Sequence, residues 1–218
     1  MTQPREKTVA ELKQIGLIAV VRARSAGQVL PLAEALISGG MKAIEITFTT
    51  PDAPKAIREV HSHFGESAVV GAGTILKEEQ LEQAIDAGAR FAVSPILRPD
   101  LVKPSHVAGC PIMLGAYSPT EAQRAFEAGS DMVKIFPADT LGPAFIKALR
   151  APLPHLPIVP TGGVNLDTME AFLNAGCHAL GVGSSLISSA ILQNDDWPQL
   201  EQRAKAFTEK LADLRETV

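Results

Sequence analysis

PIVPTGGVNLDTMEAFLNAGCHALGVGS, residues 157–184, carries one complete strand–helix–strand unit. Pro157 to Gly163 is a short β-rich apolar run ending in glycines, and Ala179 to Ser184 is another. Between them, Asn165-Leu166-Asp167 offers polar groups suited to a helix start and Ala175-Gly176 a small-residue helix end. Glycine just past a helix accepts left-handed dihedrals, so the chain can turn back into a sheet.

The same unit recurs towards the N-terminus. Apolar runs stand at LIAVVRA (17–23), AIEITF (43–48), AVVGAG (68–73), RFAVSP (90–95), PIMLGAY (111–117) and DMVKIFP (131–137). Segments of 3.6-residue periodicity lie between them, including Gly27 to Ser38, Lys77 to Ala87 and Thr120 to Ala128. Helix ends repeat at Gly39-Gly40, Ala87-Gly88, Ala108-Gly109 and Ala128-Gly129; helix starts repeat at Ser25, Pro51-Asp52 and Ser118-Pro119-Thr120. Near-continuous apolar strands separated by helices imply a parallel sheet covered on its outer face. Eight such units in 218 residues point to a closed (β/α)8 TIM barrel rather than an open sheet. The expectation is one domain over residues 1–218, with the barrel at about 16–190. An extra N-terminal helix (Thr8 to Gln14) precedes it, and a C-terminal helix at about 196–216 follows.

Composition narrows the partners. The formal net charge of -4 leaves no basic field for nucleic acid or an anionic membrane. Met1 to Lys7 is polar with no apolar core behind it, which argues against a signal peptide, and no apolar run approaches the ~18 residues that span a bilayer. A cytoplasmic protein is expected. Cys110 and Cys177 read as small core residues of a reduced compartment. The five histidines avoid the strand C-termini and form no ligand pattern, so no metal is expected; His63 and His106 read as surface residues.

Barrel active sites form at the C-terminal ends of the strands, so polar residues there need a reason. Lys134 lies in Met132-Val133-Lys134-Ile135-Phe136-Pro137, flanked by apolar residues. Desolvation favours a neutral amine, which can attack a ketone and form an imine that acts as an electron sink. Glu45, among isoleucines in Ile44-Glu45-Ile46, has the same anomaly and reads as its partner, either a structural ion pair or a general acid/base. Arg22 ends the first strand, where its fork suits a carboxylate or phosphate, although a surface arginine would look the same. Gly71-Ala72-Gly73-Thr74 lacks a dinucleotide fingerprint and reads as close backbone approach, with Thr74 offered to an anion. Ser94-Pro95 suits an apolar wall or a turn. Thr161-Gly162-Gly163 and Gly181-Val182-Gly183-Ser184-Ser185 stand after strands seven and eight, where barrels hold phosphate; tight turns alone would also use these glycines.

With these motifs, from about Ile18 to Leu186, the chain resembles the class I 2-keto-3-deoxy-6-phosphogluconate (KDPG) and 4-hydroxy-2-oxoglutarate (KHG) aldolase family. The likeness is carried by EITFTTPDA (45–53), GAGT (71–74), SP (94–95), KIFPA with GPAFIKAL (134–149), VPTGGVNLD (159–167) and GVGSSL (181–186). It implies Lys134 as Schiff-base lysine and Glu45 as general acid/base. It also implies Thr74 with Arg22 as carboxylate clamp, Pro95 and Phe136 as apolar walls, and Gly162, Gly163 and Ser184 as phosphate cradle. The substrate implied is a phosphorylated keto-deoxy sugar acid, split to pyruvate and glyceraldehyde 3-phosphate by a homotrimer without cofactor. One departure stands out: several phosphogluconate-specific members carry arginine where this chain has Thr49, which leaves the gluconate or galactonate series open. Outside the resemblance, a phosphosugar isomerase or epimerase would share the glycine loops without needing Lys134, and a sugar-phosphate sensor would leave the Lys134–Glu45 pair unexplained.

Overall fold

Glycine and proline mark where two of the strands, those around residues 92–93 and 158–160, come to a stop. A computed structural model describes residues 4–216, so Met1, Thr2 and Gln3 of the polar N-terminal stretch, and Thr217 and Val218, lie outside the described residues. Its strands are Leu17–Val21 (β1), Ala43–Thr47 (β2), Val69–Gly73 (β3), Ala92–Val93 (β4), Ile112–Ala116 (β5), Met132–Ile135 (β6), Ile158–Pro160 (β7) and Leu180–Val182 (β8). Each is shorter than its apolar run. β7 stops where Gly162 and Gly163 take φ of +96° and +70°, and β4 stops at Ser94-Pro95, because proline has no N–H for the ladder.

The strands pair in the order β7-β6-β5-β4-β3-β2-β1-β8, and each pairing is parallel. A parallel bridge from Thr161 to Gly181 joins the two ends, giving the expected nearly closed (β/α)8 barrel in a single domain. Side chains alternate across each strand. Ile44, Ile46, Val70, Leu114, Val133 and Ile135 belong to the apolar cluster shared with the helices. Ile18, Ala43, Val69, Phe91, Met113, Met132 and Val159 form a separate cluster that fills the barrel interior. One alternation further along, Ala43 gives way to Glu45 and Met132 to Lys134.

The helices among the described residues are Pro4–Ile15 (α1), Val29–Ser38 (α2), Ala53–Phe64 (α3), Glu78–Asp86 (α4), Val102–Val107 (α5), Pro119–Glu127 (α6), Gly142–Arg150 (α7), Met169–Asn174 (α8), Ser189–Asn194 (α9) and Trp197–Glu216 (α10). Helix α1 is longer than the expected Thr8 to Gln14, and its fully buried Leu12 joins the interior cluster. This length also corrects the reading of His106 as a plain surface residue. Arg5, on the added first turn, lies 3.4 Å from Asp131, and His106 Nε2 lies 2.9 Å from the same carboxylate. His63 does stay near the surface, 3.3 Å from Glu34. Helix α10 buries Leu200, Ala204, Phe207 and Leu211 on one face and seats Ala204 against Gly39, where an added Cβ would come within 2.5 Å. Among the described residues no helix is long and apolar enough to cross a membrane. Cys110 is buried and Cys177 half-buried, and burial pushes both thiols up to about 12.

The glycine in second place of every helix-end motif has positive φ: Gly40, Gly88, Gly109, Gly129 and Gly176, between +71° and +97°. Helix starts are less uniform. Ser118 forms a full capping box: its Oγ accepts from the Glu121 amide at 3.3 Å, and Glu121 accepts from the Ser118 amide at 2.8 Å. Neither Ser25 nor Asp52 makes a side-chain cap bond. Asn165 instead builds a turn, accepting from the Asp167 and Thr168 amides at 2.9 Å, and α8 begins after it. Ser118→Ala should therefore cost about 1 kcal/mol. Thermal unfolding checks this, and an unchanged midpoint would show that the box adds nothing measurable to stability.

Candidate active site

Lys134 and Glu45 come from β6 and β2, on opposite sides of the barrel wall, and meet in its interior. The Lys134 Nζ donates to Glu45 Oε1 at 3.4 Å, and the two residues are 5% and 3% exposed. This exceeds the ~2.7–2.9 Å of a tight charge-assisted bond. Among the described residues the amine makes no other hydrogen bond, so its remaining positions are open to a ligand. The nitrogen also lies 5.4 Å from the Phe136 ring centroid.

Two glycines make this meeting possible. A Cβ on Gly73 would stand 2.0 Å from Glu45 Oε1, so only glycine lets the carboxylate lie where it does. A Cβ on Gly71 would stand 2.4 Å from the Phe91 ring. Close approach was expected at Gly71-Ala72-Gly73, and the groups that approach are the side chains of Glu45 and Phe91. On the other side Gly115 pairs in register with Lys134, and its missing Cβ leaves room for the Pro95 carbonyl. Thr74 follows Gly73 with φ of +60°, a conformation costly for a β-branched residue and typical of functional sites.

A cleft of about 700 Å³ opens at the C-terminal ends of β1, β6, β7 and β8. Arg22, Phe136, Gly162, Gly163 and Ser184 all line it, so five of the nine expected site residues share one cavity. Lys134, Glu45, Thr74 and Pro95 are outside its lining. Phe136 joins the two groups, because its ring lies over the Lys134 amine and also faces the cleft. Another cleft of about 510 Å³ lies between α1 and α10, at the N-terminal end of the barrel. Glu11, Lys42, Glu66 and Arg215 line it, and no inward-facing strand charge approaches it.

The sequence reading missed Asp139 altogether, and it noted Thr49 only as a departure from the family pattern, without its contact to Arg22. Asp139 lines the cleft beside Gly163, whose added Cβ would stand 2.9 Å from the Asp139 Cβ. Thr49 accepts from Arg22 Nε at 2.9 Å. Both stand in strand-to-helix loops, where a polar residue normally faces solvent and gives no signal.

Residues 9–203 match the family model for KDPG and KHG aldolase. The chain belongs to the KDPG and KHG aldolase family. The 2-dehydro-3-deoxy-phosphogluconate aldolase of Treponema pallidum (strain Nichols) is 40% identical, covering 80% of this chain and 82% of its own. The 2-dehydro-3-deoxy-6-phosphogalactonate aldolase of Escherichia coli (strain K12) is 33% identical, covering 79% and 85%. Among solved structures, the KDPG aldolase of Legionella pneumophila, with pyruvate captured as a covalent carbinolamine, superposes with a TM-score of 0.83. It is 30% identical and covers 94% of this chain and 98% of its own. This family member is therefore an aldolase, a carbon–carbon lyase of the class I pyruvate type.

The geometry at Gly73 tests the placement of Glu45. Gly73→Ala should displace the carboxylate and reduce pyruvate release about 100-fold, the scale expected for a misplacement of ~1 Å. Circular dichroism should stay native. Wild-type turnover would mean that Glu45 tolerates displacement and does not depend on its present position.

Proposed function

We propose that this aldolase cleaves KDPG to pyruvate and glyceraldehyde 3-phosphate through an imine on Lys134. One observation carries the reading: a buried lysine–carboxylate pair at 3.4 Å that Phe136 connects to a cleft ending in paired glycines. A structural ion pair would explain the burial but not the cleft, and buried pairs are weak stabilisers.

In this reading the Lys134 amine adds to the C2 ketone, and loss of water leaves an iminium. Glu45 takes the proton of the C4 hydroxyl as the C3–C4 bond breaks, and the bonding electrons pass into the iminium to form an enamine. The C4 carbon leaves as the aldehyde of glyceraldehyde 3-phosphate. Glu45 then returns its proton to C3, and water releases pyruvate and regenerates Lys134. The imine itself takes up the electrons, so the chemistry requires no metal or organic cofactor. Arg22 and Thr74 hold the carboxylate, Pro95 and Phe136 wall the pyruvyl group, and Gly162, Gly163 and Ser184 hold the phosphate. The family resemblance further suggests a cytoplasmic homotrimer.

The galactonate series is the second reading, favoured by the E. coli relative named for the 6-phosphogalactonate substrate. Parallel assays on both C4 epimers and on 4-hydroxy-2-oxoglutarate would separate these substrates. Lys134 itself is tested by borohydride reduction in the presence of pyruvate, followed by peptide mapping. A reduced pyruvyl adduct on Lys134 is expected. Its absence in folded protein would overturn the imine and favour a phosphosugar isomerase. Glu45→Gln should slow solvent exchange of the pyruvate methyl protons at least ~100-fold, the low end of what general acid–base catalysis contributes. An unchanged exchange rate would remove Glu45 from proton transfer.

A further inference from the structure

Arg22 directly follows β1 at the cleft, yet among the described residues no carboxylate forms an ion pair with it. Its side chain is held instead by hydroxyl groups. The Nε donates to Thr49 Oγ1 at 2.9 Å, Thr49 Oγ1 lies 2.8 Å from Thr47 Oγ1, and Thr47 Oγ1 donates to the Val21 carbonyl at 3.0 Å. A hydroxyl has one proton to give. Thr47 commits its proton to Val21, so it accepts from Thr49, and the Thr49 oxygen is left to accept from Arg22. The order is therefore fixed: Arg22 to Thr49 to Thr47 to the backbone of the residue preceding Arg22. The inner anchor, Thr47, is 1% exposed. On the other side of Arg22, the Ala23 amide donates to Thr50 Oγ1 at 3.0 Å.

This arrangement engages only the Nε of the guanidinium. Both terminal amino groups remain free of carboxylate partners, and they form the planar fork that matches a carboxylate in two parallel bonds. Without the Thr49 hydroxyl, Arg22 would be a long exposed side chain with many rotamers, and binding would first have to order it.

From this geometry we propose that Thr49, backed by Thr47, is a positioning residue that pre-orders the Arg22 fork for the substrate carboxylate. The inference rests on the pyruvate-aldolase reading and deepens it. Thr49 does not touch substrate and acts through Arg22 alone. It sets affinity for the carboxylate-bearing half of the substrate and leaves imine formation and the phosphate end unaffected.

The test is borohydride trapping on Lys134 across a range of pyruvate concentrations, in wild type, Thr49→Val, Thr49→Ser, Arg22→Met and the Thr49→Val/Arg22→Met double variant. Thr49→Val keeps the side-chain shape and removes the hydroxyl. It should raise the half-saturating pyruvate concentration about tenfold, a typical loss for a hydrogen bond to a charged group, with the limiting trapping rate unchanged. Thr49→Ser should restore wild-type affinity. In the Arg22→Met background, Thr49→Val should add nothing. Competition by inorganic phosphate against the sugar acid should not move. An adduct in wild type with unchanged half-saturation in Thr49→Val would overturn this inference alone. Equal impairment by valine and serine, additivity with Arg22→Met, or a parallel loss of phosphate competition would also overturn it. No adduct in wild type would overturn the imine reading and this inference with it.

Discussion

The structure depends on keeping an amine and a carboxylate together inside a closed barrel. Removing two charges from water costs several kcal/mol per ion, and mutual attraction at 3.4 Å offsets this only in part. The surrounding sequence therefore has to accommodate Lys134 and Glu45 at some expense. Gly73 gives up its side chain so that the carboxylate can lie flat on β3, and Gly115 gives up its own beside Lys134 so that the β4 exit can close in. Interior glycines weaken strands. The two are tolerable because their β3 and β5 neighbours, Val70, Ala72 and Leu114, are fully buried against the helices.

This arrangement divides the barrel along its axis. Towards the N-terminal end the interior is apolar, filled by Phe91, Met113, Met132 and Val159 and joined by Leu12 from α1. Towards the C-terminal end the same alternating positions carry Glu45, Thr47, Lys134 and Thr161, all buried. One step along each strand thus separates apolar packing from buried polar groups. Thr161 serves twice: its bridge to Gly181 closes the barrel, and it lines the cleft just before Gly162 and Gly163. Closure of the sheet and shaping of the cleft are consequently one local event.

Much of this was legible in the sequence, for identifiable reasons. A lysine or glutamate interrupts the near-continuous apolar run of a strand buried on both faces, so Lys134 and Glu45 stood out without any structure. The barrel was legible because a helix-end glycine marks five of the returns to the sheet, and Gly40, Gly88, Gly109, Gly129 and Gly176 all adopt positive φ. Residues whose purpose lies across the sheet were not legible. Gly73 has no side chain to suggest a role, and the reason for it is a carboxylate on the neighbouring strand. Thr49 looks like one threonine in a Thr-Phe-Thr-Thr loop until β1 is placed beside it and Arg22 reaches its hydroxyl. Asp139 resembles any loop acid until Gly163 folds against it. His106 failed for a different reason: its partner Arg5 lies on a helical turn that periodicity did not extend far enough to include.

Short units explain why the chemistry sits on strands rather than on long loops. A (β/α)8 barrel typically needs about 250 residues, and this chain manages with 218. Loops trimmed to a few residues cannot fold over a ligand, so functional groups have to project from the strand ends or from the first residues beyond them. Side chains so placed inherit the rigidity of the sheet, with little ordering to complete on binding. Arg22 is the exception, a long flexible side chain just beyond its strand. It is also the residue that the neighbouring strand and loop hold through a relay of two hydroxyls. Where the scaffold could not supply rigidity through strand geometry, it did so through hydrogen bonds.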